Sequence, residues 1–93
     1  MVKHIVLYTF REGVEKEQEV KRIASLLEPL VGQIPGLLHM EIRPTAGEMD
    51  YALYSAFESW DALKGYRDHP LHLAAKEQFF HLLASRVSAD YEV

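Results

Sequence analysis

The sequence predicts an α+β fold with its elements in the order β-α-β-β-α-β, and three observations predict it. Four segments rich in β-branched and aromatic residues stand at 3–10, 37–43, 50–57 and 86–93. Between the first two, apolar residues recur at helical spacing from Val20 to Ile34. Between the last two lies a second helical stretch, interrupted by proline in the run Tyr66-Arg67-Asp68-His69-Pro70-Leu71-His72.

In residues 3–10 almost every position after Lys3 is apolar, the pattern of a strand covered on both faces. Alternation places His4, Val6, Tyr8 and Phe10 on one side and Ile5, Leu7 and Thr9 on the other. One side meets the protein's own helices; the other needs a second cover, and the sheet of a partner chain is the simplest. Arg11-Glu12-Gly13 turns the chain, and Glu15, Glu17 and Glu19 then stand where a helix N-terminus favours negative charge. Val20, Ile23, Ala24, Leu27, Leu30, Val31 and Ile34 form the helical stripe. Pro29, inside it, cannot donate to the Ser25 carbonyl, which predicts a kink or a fresh turn starting there. Gly32 and Pro35-Gly36 end the element.

The second strand alternates Leu38, Met40 and Ile42 against His39, Glu41 and Arg43. A connection containing Gly47 leads to the third, where Tyr51, Leu53, Ser55 and Phe57 oppose Ala52, Tyr54 and Ala56, so that the two strands read as a hairpin. Ser59 is placed to cap a short helix that Asp61 strengthens and that should bury Trp60 and Leu63. Pro70 closes that helix, because the residue before a proline is pushed out of the α region, and it can open the next one. Leu71, Ala74, Ala75, Gln78, Phe79, Leu82 and Leu83 supply the inner face of the following helix. Val87, Ala89, Tyr91 and Val93 alternate with polar residues in a closing strand. This is the layout of a ferredoxin-like domain: a four-stranded antiparallel sheet with helices on one face. Its bare face is commonly buried by dimerisation into an α/β barrel, in agreement with the two-sided first strand.

With 93 residues the chain is one domain, 1–93, and its core is thin, since a chain of this size buries only about 60–65% of its unfolded surface. The absence of cysteine excludes disulfides, thiolate nucleophiles and zinc–thiolate sites. No carboxylate completes an obvious metal site around the His69/His72 pair, so no metal and no cofactor are expected. A net charge of -4 without a basic cluster argues against nucleic acid as a partner. No G-x-G-x-x-G, P-loop or H-E-x-x-H pattern is present. No apolar run approaches the roughly 18 residues that would cross a bilayer, so no membrane partner is expected. The opening residues lack a signal-peptide layout, and a cytoplasmic chain is expected.

Val2-Lys3-His4-Ile5-Val6-Leu7, Ile34-Pro35-Gly36, the run from Phe57 to Leu63, Tyr66, His69-Pro70-x-His72 and Asp90-Tyr91 together resemble the Dabb family, the stress-responsive dimeric A/B barrel domain. The resemblance implies the ferredoxin-like fold and a homodimer. In one branch, the plant polyketide (olivetolic acid) cyclases, a tyrosine and the second histidine of an H-P-x-H segment close a ring on a linear ketide without a cofactor. Those positions are Tyr66 and His72. The chain departs from that branch over most helical positions, so the resemblance does not carry the substrate.

His72 has the ordinary pKa that lets an imidazole take and return a proton near neutral pH, and across the proline break it could meet the Tyr66 phenol over one cavity. Asp90 on the last strand is the candidate acceptor for its other nitrogen. The plainer reading makes His72 a half-buried, hydrogen-bonded residue of a first helical turn. His4, Val6 and Tyr8 share a strand face that could line the cavity, and His69 reads as a cap or support at the break. His39 and His81 read as surface residues, and Tyr8, Tyr54 and Trp60 as core rather than stacking platforms. Three functions compete. The first is cofactor-free proton transfer or cyclisation on a small apolar or carbonyl-containing ligand. The second is a stress-related dimer that binds a ligand or protein without turnover. The third is a haem-handling protein with His4, His69 or His72 as axial ligand.

Overall fold

A nearly unbroken run of β-branched, aliphatic and aromatic residues makes Val2–Phe10 the strand, β1, around which the sheet is built. In the computed structural model, which describes residues 1–93, it is followed by helix α1 (Lys16–Leu27), strands β2 (Leu37–Pro44) and β3 (Tyr51–Phe57), helices α2 (Trp60–Asp68) and α3 (Pro70–Glu77), and strand β4 (Leu83–Glu92). The sheet order is β2-β3-β1-β4, with every neighbour antiparallel, and the helices cover one face. This is the ferredoxin-like α+β fold, with its second helical segment split at Pro70. No helix is long and apolar enough to cross a membrane.

Burial alternates strictly along β1: Val2, His4, Val6, Tyr8 and Phe10 are buried, and the residues between them are half-buried. Tyr51, Leu53 and Phe57 of β3 join the buried set, and Ile23, Leu27 and Leu63 pack over them from α1 and α2. Gly36 sets the approach of α2 to the sheet. Its φ is +80°, and a Cβ there would stand 2.5 Å from the Ala62 Cβ, so a side chain at this position would push the helix away.

Several local expectations are corrected by longer-range structure. At Pro29 the fresh turn is found rather than the kink, starting one residue early: α1 stops at Leu27 and Glu28–Leu30 form a separate 3-10 turn with the proline in it. Val31 therefore leaves the stripe and is exposed, while Leu30 and Ile34 stay buried. In β2 the ladder pairs Leu37 with Phe57 and His39 with Ala56, which leaves Leu38 as an extra, bulged residue. Leu37 takes the buried place and Leu38 is exposed. Trp60 is not core. At the first position of α2 it is 47% exposed, with its indole N–H donating to Glu92 at 3.3 Å, and Leu63 and Tyr66 are the buried residues of that helix. α3 ends at Glu77, so Gln78 to Leu83 do not lie on its face; Ala75 is its one buried residue, and Leu71, Ala74 and Gln78 are exposed. A 3-10 turn, Phe80–Leu82, leads into β4, which starts at Leu83 rather than at Arg86.

β4 is built inside out. Arg86, Ser88 and Asp90 stand opposite Tyr8, Val6 and His4, so they point to the helix side. Val87, Ala89 and Tyr91 stand opposite Leu7, Ile5 and Lys3 on the bare face, where Val87 is 62% exposed.

Candidate functional site

The break between α2 and α3 is one residue long. His69 has extended backbone, ends α2 and caps α3, its Nδ1 accepting from the Leu71 amide at 3.1 Å, and Pro70 occupies the first helical position. The change of direction brings Tyr66 and His72 together: their rings stack with centroids 4.1 Å apart and planes inclined by 28°. On its other side Tyr66 packs against Phe57, with centroids 5.1 Å apart.

The two side chains have opposite electrostatic settings. The Tyr66 ring is buried and no protein group hydrogen-bonds its hydroxyl. Burial, and secondarily the Tyr8 phenol, pushes its pKa far above the ordinary 10, so the hydroxyl keeps its proton and acts as a donor. His72 donates Nδ1–H to the Arg67 carbonyl at 3.2 Å, and since a carbonyl can only accept, the lone pair is left on Nε2. Burial holds the His72 pKa below its ordinary 6.5; the Arg67 carbonyl opposes this, and Lys76 and His4 add to the lowering. At neutral pH the ring is an uncharged base.

Both rings line a cavity of about 400 Å³ between the helix break and the inner sheet face, within the size range of small-molecule sites. His4 and Tyr8 of β1, Leu53 of β3 and Arg86 of β4 line it as well. Tyr8 stacks on Tyr51 with centroids 4.6 Å apart, and burial raises its pKa against the opposing pull of Arg86.

Asp90 is not the partner of His72. His4 donates Nδ1–H to Asp90 Oδ1, and Arg67 Nη2 donates to Asp90 Oδ2 at 2.8 Å. The reason is register: His4 and Asp90 are directly opposite in the β1–β4 ladder, whereas His72 sits on α3. Arg67 connects the two parts, gripping Asp90 with its side chain and holding His72 with its carbonyl. Among the other expected lining residues, Val6 is fully buried in the core and does not reach the cavity. His69 lies outside it, on a separate groove with Gly36, Glu58 and Asp61. His39 and His81 are exposed, and Tyr54 is half-buried on the bare face, accepting a hydrogen bond from Lys3. No group of three or more His, Asp or Glu side chains converges as a metal site.

Three charged cavity residues were not singled out from sequence: Arg67, Lys76 and Arg86. Lys76 is four residues after His72 on one helix, a spacing that would have flagged it. Arg86 joins the site only through its pairing with Tyr8, which no local pattern shows.

A model of the family described as the Stress responsive A/B Barrel Domain, Dabb, matches residues 2–93. The chain belongs to the Dabb family. An uncharacterized protein of Streptomyces coelicolor is 35% identical over 99 aligned positions, covering 99% of each protein. A dimeric, ferredoxin-like protein from Bacteroides fragilis is 33% identical to this Dabb domain, with a TM-score of 0.89 over 99% of this chain and 95% of that one. A second dimeric ferredoxin-like protein, from Thermobifida fusca, is 28% identical with a TM-score of 0.83, covering 99% and 90%.

Proposed function

We propose that this Dabb domain is a homodimer that binds a small carbonyl or ketide-like molecule in its cavity and performs cofactor-free acid–base chemistry on it, of the aldol or cyclase type. The observation that carries the reading is the stacked Tyr66–His72 pair on the cavity, one group held as a donor and the other as a neutral base.

The step is balanced with no outside reagent. His72 Nε2 takes a proton from the carbon next to a carbonyl while the Tyr66 hydroxyl donates a hydrogen bond to the carbonyl oxygen, stabilising the enolate. The enolate carbon attacks a second carbonyl of the same molecule, a C–C bond forms, and the new alkoxide takes the proton back from His72. The Arg67 carbonyl supports the imidazolium that exists in between. His4, oriented by Asp90, offers a second imidazole on the cavity wall.

Dimerisation is supported by the bare face. Ile5 and Leu7 of β1 and Val87, Ala89 and Tyr91 of β4 form an apolar surface, and Arg86, Ser88, Asp90 and Glu92 of β4 point the other way. The Bacteroides and Thermobifida relatives are dimeric. A binding protein without turnover is the competing reading, favoured by the downward shift of the His72 pKa, which weakens it as a base. The test is His72→Ala in a screen of ketide-like substrates. Loss of turnover with an unchanged circular dichroism spectrum and unchanged size supports catalysis; turnover that survives, or a change confined to affinity, removes the catalytic role.

A further inference from the structure

The chain carries four more negative than positive charges, yet no Asp or Glu lines its cavity, whereas Arg67, Lys76 and Arg86 do. Arg67 is neutralised by Asp90 at 2.8 Å. Lys76 and Arg86 have no carboxylate within ion-pairing distance. Lys76 Nζ rests 4.7 Å above the centre of the Phe80 ring, and Arg86 lies beside the Tyr8 phenol. Their placement is specific: Lys76 is one helical turn beyond His72, and Arg86 stands opposite Tyr8 on the helix side of the edge strand. Two cations without a carboxylate partner, from different elements, thus meet at one cavity whose other polar groups are phenols, imidazoles and the Asp90-paired Arg67.

We propose that Lys76 and Arg86 form an anion subsite, and that the molecule taken into this cavity carries a carboxylate besides its carbonyl. The inference rests on the reading of the cavity as a ligand site and names the class of ligand. The Arg86 guanidinium presents two parallel N–H groups that match a carboxylate, and Lys76 adds a point charge. Anchoring the acid there leaves the rest of the molecule to extend towards Tyr66 and His72. It also sets a selection rule: the free keto acid is preferred over its neutral ester.

Levulinate, a stable keto acid, and methyl levulinate are suitable probes, titrated separately into the protein by amide-resolved NMR. The acid should bind about tenfold tighter than the ester, the range of a charge-assisted hydrogen bond. Arg86→Gln should lower acid affinity far more than ester affinity and collapse that ratio, and Lys76→Met should do the same to a smaller extent. Equal binding of acid and ester by the unmodified protein, or a ratio untouched in both variants, overturns the anion subsite and leaves the cavity as a ligand site. Binding of neither probe at cavity residues overturns both readings.

Discussion

Replacing Val87 by Asp places a charge on the bare sheet face, opposite Leu7, at a side chain that is 62% exposed in the single chain. Full burial of a valine side chain contributes about 1.5–3 kcal/mol, so covering this remaining exposure contributes about 1–2 kcal/mol per protomer. A two-fold interface counts each residue twice, which makes about 2–4 kcal/mol per dimer, or roughly 30- to 1,000-fold in dissociation constant. Two unpaired carboxylates in the interface add to the loss. Sedimentation velocity on a dilution series from micromolar to nanomolar reads the effect, with circular dichroism as the check on folding. Val31→Asp, on the turn after α1, is the control and should leave association unchanged. A Val87→Asp chain that associates like the parent, or a parent chain that is itself a stable monomer at micromolar concentration, rules out this face as the dimer interface.

Gly36→Ala should lower the melting temperature by about 10 °C or more, because the left-handed backbone costs about 1–2 kcal/mol and the contact with Ala62 about 1–3 more. Adding Ala62→Gly should recover the contact part only. Tyr51→Phe should be neutral or stabilising by thermal melts, since the Tyr51 hydroxyl is buried without a partner while its ring packs on Tyr8 and Phe10. A marked loss would reveal a hydrogen bond on that hydroxyl. The pH profile follows from His72, whose folded pKa lies below 6.5. Its neutral form survives in the folded protein as pH drops through 6.5, so the acid limb of kcat/KM should lie below that value. In the same window the unfolded chain binds more protons, so this group makes stability fall as pH falls, a slope that urea melts should lose in His72→Ala.

The strands of the sheet were legible because alternation and β-branching are local signals, and so were the Ser59 cap and the Pro70 break, which depend on one residue each. What failed was decided elsewhere in the chain. Leu38 is displaced by a bulge set in the pairing with β3, and Trp60, at the first position of α2, turns outward to Glu92 at the far end of the chain. The same holds for the site. Tyr66 and His72 could be paired from spacing across a proline, whereas the partner of Asp90 depended on its exact place in the β1–β4 ladder, 86 residues from His4. Arg86 was hidden for the same reason: its membership of the cavity is a property of register rather than of its neighbours in sequence.

In the proposed function His72 removes a proton next to a carbonyl with Tyr66 holding the oxygen. Deuterium exchange at the ketone α-carbons of levulinate and methyl levulinate, followed by NMR in heavy water at neutral pD, measures that step without requiring the natural substrate. The protein should accelerate exchange of at least one probe by about 100-fold or more over buffer, a gain reduced in Tyr66→Phe and lost in His72→Ala. Exchange at the buffer rate with the unmodified protein, or acceleration that persists in His72→Ala, would contradict it.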